Sequence, residues 1–407
     1  MKKGVTGYEE ALKMTLETIS PLGRDQVDLP ECTDRIIADD LYALVNSPSI
    51  DASMKDGYAV RSDEIEQATH ENMVRLNVIG MAAAGVPTDK AVSNGTAIRI
   101  LTGAKIPDGA NAVLAEEFVV REGDVVSAFE NAEPGRNILP KGDDVEAGKR
   151  IATKGSRLSP GMIGILAAAG HSKLPVYHRP RLAIVATGDE LMVPGQPFSE
   201  GKLYASNLYI LNSWCLRYGM TPTLSLVSDK PEVITEKLAQ AIATHDAVIT
   251  IGGAWTGDRD FVANTLKALG WKQLFHRIRM GPGKGVGFGV LDQKPVFMLP
   301  GGPPSSLMAF LQIALPGLLR LAGHNKPFLP RMMVKLSEKL ISRDMKWTHF
   351  VYGSFRAENE HTFFDPAPLR LVANRLKAIA HAEGVIAIPE GVKSLSAGAV
   401  IPAQLLV

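Results

Sequence analysis

A chain of 407 residues with 45% hydrophobic and 21% charged residues has the composition of an ordinary globular protein and the length of two to four domains. Its formal net charge of +1, with no block dense in Lys or Arg, leaves no footprint for nucleic acid. Cys32 and Cys215 stand far apart without a CxxC or Cys/His neighbour, which excludes a disulfide framework and a zinc site.

The N-terminus scatters its charges among apolar residues at helical spacing, unlike a signal peptide, and no uncharged apolar stretch reaches membrane-spanning length. A cytoplasmic protein is the expectation. From Tyr8 to Ile19, apolar Ala11, Leu12, Met14, Leu16 and Ile19 share one side of a helix, stopped by the Pro and Gly of SPLG. Between Val27 and Ala152, short β-like runs (VRLNVIG, AIRILTG, AVLAEEFVV, VVSAF) alternate with Gly, Pro and Asn turns, which predicts a β-rich lobe. SPGMIGILAAAG then reads as a helix with Pro in its first turn.

From Arg181 the pattern becomes strand, turn, helix: LAIVATGDEL, a helix over 207–218, TPTLSLVSD, a helix over 232–244, DAVITIGG, a helix over 261–269, then PVFMLPGGPP and a helix over 305–322. Such alternation predicts a parallel sheet covered by helices on both faces, with ligands at the carboxyl ends of the strands. The last segment (MMVKLSEKL, THFVYGSFRA, GVIAIPEG, AVIPAQLL) is β-like again. The expected division is a helical and linker domain over 1–26 and 140–179, a β-rich lobe over 27–139, an α/β domain over 180–326 and a C-terminal β domain over 327–407.

Three Gly-rich turns, TGDEL (187–191), IGGAWTGDRD (251–260) and LPGGPPSS (299–306), fall at strand ends, where backbone N–H groups can receive an anion. Any one alone reads equally well as a tight turn that needs Gly, but three on one sheet converge on one crevice. Asp189, Glu190, Asp229, Asp258 and Asp260 lie at the same ends, an oxygen donor set suited to Mg²⁺. RMGPGKGVGFG (279–289) adds Arg279 and Lys284 on a glycine loop suited to an oxyanion. By themselves SMKDGYAV (53–60) and KGDDVEAG (141–148) read as solvated turns.

Taken together, the motifs resemble those of the MoeA and gephyrin E-domain family, the molybdenum insertases, in order and spacing along nearly the whole chain. D-x-S-x-x-DGYAV stands at 51–60, TGAxxPxGAxAVxxxE at 102–117, the RGxD turn at 141–144, TGDEL at 187–191, Ser206 and Asn207 next, then Asp229, and GGxxxGxxD at 252–260. The resemblance implies a multidomain α/β protein with a central MogA-like parallel-sheet domain, N-terminal helical and β-rich lobes and a C-terminal β-barrel. It further implies a homodimer whose cleft lies between the α/β domain of one subunit and the N-terminal lobes of the other. The family reaction takes adenylylated molybdopterin (molybdopterin-AMP) and molybdate, inserts the metal and releases AMP with Mg²⁺. A molybdopterin adenylyltransferase and an acceptor molybdoenzyme are the protein partners expected around it.

On the family pattern, Glu190, Asp260, Asp229, Asp144 and Asp56 are the catalytic residues, and Asp189, Glu190, Asp229 and Asp260 hold the metal. Thr187, Gly188, Asp189, Ser206, Asn207, Gly252, Gly253, Gly257, Lys141, Thr102, Lys284, Pro300, Gly301 and Ser305 bind substrate. The chain departs from the pattern around the oxyanion. KPGKP becomes 281–285 GPGKG without its first Lys, PGNPxS becomes 300–305 PGGPPS without its Asn, an Arg becomes Tyr352, a Ser becomes Ala373, and the Asp before Ser206 becomes Ala205. Arg279, Arg370 or Arg375 pointing inward would compensate, and tungstate is an alternative to molybdate. A non-catalytic molybdopterin carrier is the competing reading, although such a carrier has no need of both Glu190 and Asp260.

Overall fold

The computed structural model describes residues 5–252, 261–367 and 376–406. Its first helix, α1 (Tyr8–Thr18), buries Ala11, Leu12 and Thr15, as the helical spacing predicts. These residues pack on the α/β domain rather than on the N-terminal lobes: Tyr8, Ala11, Leu12 and Ile19 share one core with Phe297, Leu315 and Leu318.

Residues 24–43, of which 27–43 were expected in the β-rich lobe, pair with 150–177. Arg24–Asp28 runs antiparallel to Lys173–Tyr177, and Leu41–Tyr42 pairs with Arg150–Ala152. Cys32, Ile37, Leu41, Leu158, Leu166, Leu174 and Val176 close a small core between them. The helix Pro160–Ala168 contributes Leu166 to that core, and the Ser159 hydroxyl caps it by accepting from the Met162 amide at 3.2 Å. A six-stranded sheet built from residues 57–128 forms the lobe itself. We propose a lobe boundary near Pro48 on this pairing. Cys32 and Cys215 are both buried and unbonded.

The α/β domain contains β1 (Arg181–Thr187), α2 (Ser206–Arg217), β2 (Thr221–Val227), α3 (Pro231–Thr244), β3 (Ala247–Ile251), α4 (Phe261–Ala268) and β4 (Lys272–His276). After a short strand, β5 (Ile278–Gly281), come β6 (Gly287–Leu291), β7 (Lys294–Leu299), α5 (Pro303–Ala309) and α6 (Leu315–Leu321). Sheet order is β2-β1-β3-β7-β6-β4: four parallel strands, then an antiparallel edge. Every residue of β3 is buried and only Arg181 of β1 is exposed, as expected of strands covered on both faces. A π-helical turn, Phe310–Ala314, joins α5 to α6. The resulting run, Pro303–Leu321, has the length and apolarity of a membrane span, yet 89% of its apolar window is buried inside the protein.

The C-terminal domain is a closed barrel of β8 (Arg331–Leu336), β9 (Thr348–Glu358), β10 (His361–Pro366), β11 (Gly384–Ile388) and β12 (Val400–Leu405), in the order β9-β10-β8-β12-β11 and back to β9, with α7 (Leu376–Ala380) beside it. Val334, Leu336, Phe364, Ile386 and Ala403 fill its interior. Strand β5 leaves the α/β sheet and lies parallel to β9, with Met280 opposite Thr348 and Gly281 opposite His349. The glycine loop that follows β5 therefore starts at the joint between two domains.

Candidate active site

Strands β2, β1, β3 and β7 are neighbours and parallel, so the turns that follow them open on one edge of the sheet. TGDEL, Asp229, Gly252 and the PGGPPSS turn meet there, as the strand-then-glycine pattern predicts. Gly188 and Gly252 form the floor. Gly252 has φ +94°, and a Cβ on it would lie 2.7 Å from the Thr187 carbonyl oxygen, so only glycine fits. A Cβ on Gly188 would meet the Glu190 carboxylate at 2.7 Å, which shows that Glu190 folds back over the end of β1. Gly301 lies against Gly252, and the Asn207 side-chain amide donates to the Gly301 carbonyl at 2.6 Å, tying the start of α2 to the turn before α5.

Asp189 and Asp229 face each other. The Asp229 amide donates to Asp189 Oδ1 at 3.1 Å, and the Asp189 amide to Asp229 Oδ2 at 3.4 Å. Each carboxylate keeps a second oxygen for a ligand. Among the described residues no three His, Cys, Asp or Glu side chains are grouped closely enough to hold a metal ion. Asp260, Asp258, Gly253 and Gly257 lie outside the described residues, as do Arg370, Ala373 and Arg375.

Three hydroxyls on these strand and turn elements are buried without a hydrogen-bond partner: Thr187 Oγ1, Thr250 Oγ1 and Ser306 Oγ. Each carries an unmet bond at or just beneath the crevice. Sequence reasoning named only Thr187. A polar residue inside the uniformly apolar run of β3 was the available signal for Thr250. Ser305 sits in the first turn of α5, and the loop bearing Lys284 closes on it: a Cβ on Gly283 would lie 3.2 Å from the Ser305 carbonyl. Lys284 itself is exposed.

Arg279 does not serve the oxyanion. Its guanidinium donates to Glu390 Oε1 at 2.9 Å, to the Lys346 carbonyl at 3.1 Å and to the Val5 carbonyl, which staples the N-terminus to the barrel. Tyr352 is fully buried, and its hydroxyl donates to the Pro304 carbonyl at 2.9 Å. The position at which the resemblance expects a cation thus touches the first turn of α5 as a neutral group. Ala205 leaves α2 without a side-chain cap.

Asp56, Thr102, Lys141 and Asp144 belong to the N-terminal lobes. Asp56 Oδ1 accepts from the Thr102 amide at 2.7 Å and hydroxyl at 2.8 Å, and these bonds hold its carboxyl below the usual range. The Lys141 amide donates to Asp51 and the Asp144 amide to the Ser47 carbonyl. Among the described residues no hydrogen bond or ion pair joins these four to the crevice.

Fold and site define a multidomain α/β protein whose glycine-rich turns gather at the carboxyl ends of a parallel sheet. Residues 6–170 match the family described as the MoeA N-terminal region (domain I and II), and residues 183–320 match a probable molybdopterin binding domain. A molybdopterin molybdenumtransferase of Nostoc sp. is 31% identical over 376 residues, covering 91% of this chain and 86% of that protein. One from Staphylococcus epidermidis is 27% identical over 401 residues, covering 98% and 95%. The crystal structure of a molybdopterin biosynthesis MoeA protein from Pyrococcus horikoshii superposes with a TM-score of 0.83 at 28% identity, covering 98% of this chain and 100% of that one. The chain belongs to the molybdopterin molybdenumtransferase family, transferases of molybdenum cofactor biosynthesis.

Proposed function

We propose that the strand-end crevice binds adenylylated molybdopterin with an oxyanion, molybdate or tungstate, and transfers the metal to the pterin dithiolene with release of AMP. The convergence of TGDEL, Asp229, Gly252 and PGGPPSS on one sheet edge carries this reading. Glycine at 188, 252 and 301 lets the turns approach one another closely, and the edge they form admits the pterin and its phosphate. Thr187, Ser206 and Asn207 line the same edge.

Asp189, Asp229 and Glu190 offer hard oxygen donors of the type Mg²⁺ takes, but as placed they are not grouped closely enough to hold a cation by themselves, and Asp260 would have to complete the set. When bound, such a cation offsets the charge of the adenylyl phosphate. Lys284 supplies the positive charge for the oxyanion and Ser305 a hydroxyl. Asp56, Thr102, Lys141 and Asp144 complete the cleft from the partner subunit of a homodimer in the cytoplasm. They sit on the lobes, and among the described residues no hydrogen bond or ion pair ties them to the crevice of their own chain, which agrees with such a dimer. The pterin adenylyltransferase that supplies the substrate and the apoenzyme that takes the product are its expected partners.

The test is AMP release from adenylylated molybdopterin, with Mg²⁺, in the presence or absence of molybdate or tungstate. Release that depends on both the cation and an oxyanion is expected. Tight binding of the pterin without release makes the protein a carrier.

A further inference from the structure

Resting on that function, we infer that Lys202, Tyr204 and Phe198 form the subsite for the nucleoside monophosphate half of the substrate, with the base stacked on the two rings and the phosphate beside the ammonium. The segment carrying Lys202 and Tyr204 is clamped to TGDEL. The Leu203 amide donates to the Glu190 carbonyl at 2.7 Å, and the Ala205 amide to the Met192 carbonyl at 3.0 Å. The Lys202 ammonium donates to the carbonyl of Asp189, the residue whose carboxylate pairs with Asp229. One of its three donor hydrogens is used, and two remain for an anion at the acidic pair.

Tyr204 lies two residues after Lys202, at the end of the two-residue strand Leu203–Tyr204. Its hydroxyl donates to the Gln196 carbonyl at 3.0 Å, which fixes the ring, and Phe198 lies 6.0 Å away at an interplanar angle of 53°. Both rings remain in solvent, Tyr204 40% and Phe198 65% exposed, with Leu203 beside them. A grouped apolar patch at the rim of a charged crevice marks a contact surface. Two exposed rings in contact, one of them fixed by its hydroxyl, on the segment that carries the Lys202 ammonium suit a ligand with a flat heterocycle at one end and a phosphate at the other. Every nucleobase offers such a face.

The experiment titrates AMP and ribose 5-phosphate into the full-length protein by calorimetry, without turnover. Wild type should prefer AMP by roughly 5- to 150-fold, the span of one base stack. Phe198→Ala with Tyr204→Ala should erase that preference while leaving ribose 5-phosphate binding unchanged. Lys202→Ala should weaken both ligands alike. Phe198 and Tyr204 are exposed and Lys202 is half-buried, and a melting curve of each variant checks that the fold is kept. Equal affinity of wild type for the two ligands, or a preference that survives in the double variant, overturns the assignment. A change in oligomeric state with the preference intact makes the patch a subunit contact and overturns it too. Failure of the proposed reaction appears separately, as absent AMP release from a protein that still shows the predicted titration.

Discussion

Lys284 is the one cation left in the glycine loop that approaches Ser305, since Arg279 is held by Glu390 and two backbone carbonyls. Lys284→Ala should therefore weaken molybdate or tungstate binding by roughly 10- to 150-fold, the worth of a charge-assisted hydrogen bond. Oxyanion titration measures it, and unchanged binding removes the loop from the site. At this scale the acids and glycines of the crevice were legible because each stands in a short local motif. Lys202 and Tyr352 were not legible in their roles. The partner of Lys202 is the backbone of Asp189 and that of Tyr352 is the backbone of Pro304, and a bond to a distant carbonyl leaves no trace in local sequence.

Between domains, the glycine loop decides what substitution the site tolerates. Gly281 is extended at the end of β5 and outside the left-handed region, and a Cβ there would touch His349 Nδ1 at 3.4 Å, an ordinary contact. Gly283 has φ +106°, and its Cβ would lie 2.6 Å from Met280 Cε and 3.1 Å from the Ala309 amide nitrogen. Gly281→Lys should keep the melting temperature and tighten molybdate binding, whereas Gly283→Ala should cost about 1–3 kcal/mol in denaturant unfolding. The reverse order of stabilities contradicts this account of the loop. Helices were readable to within a few residues, since α2, α3 and α5 begin beside Ser206, Pro231 and Pro303. The exit of β5 to the barrel was not, because a strand's pattern records its burial and not the sheet it joins.

Across the whole molecule, α6 ends at a joint with the N-terminal lobes. The Asn325 amide donates to the Gly155 carbonyl at 3.0 Å, and next to it the mostly buried His324 stands edge-on to Tyr218. Burial, with Arg157 nearby, lowers the His324 pKa from 6.5 to about 4. An unfolded chain takes up a proton here between pH 6.5 and 4 that the folded protein refuses. This contribution to stability is complete above pH 6.5 and is lost as pH falls towards 4. His324→Gln should flatten the decline over that window in urea unfolding, and identical slopes would remove the histidine from the joint's pH response. Sequence showed four lobes through their changes of pattern. It could not show that 24–43 pair with 150–177 or that α1 joins the α/β core, because such long-range pairing depends on shape rather than periodicity.

The central claim is that the turns at the ends of β1, β2, β3 and β7 perform the chemistry, and Glu190 tests it most directly. Its carboxylate lies over Gly188, exposed, and removing its charge disturbs no core. The measurement is Mg²⁺- and molybdate-dependent AMP release by Glu190→Gln, recorded beside a melting curve. Release should fall by at least about 100-fold, the usual contribution of a group acting on the reacting centre, with the melting temperature unchanged. Full turnover by the variant, or a loss of activity that only follows a loss of stability, would contradict the assignment of this crevice as the active site.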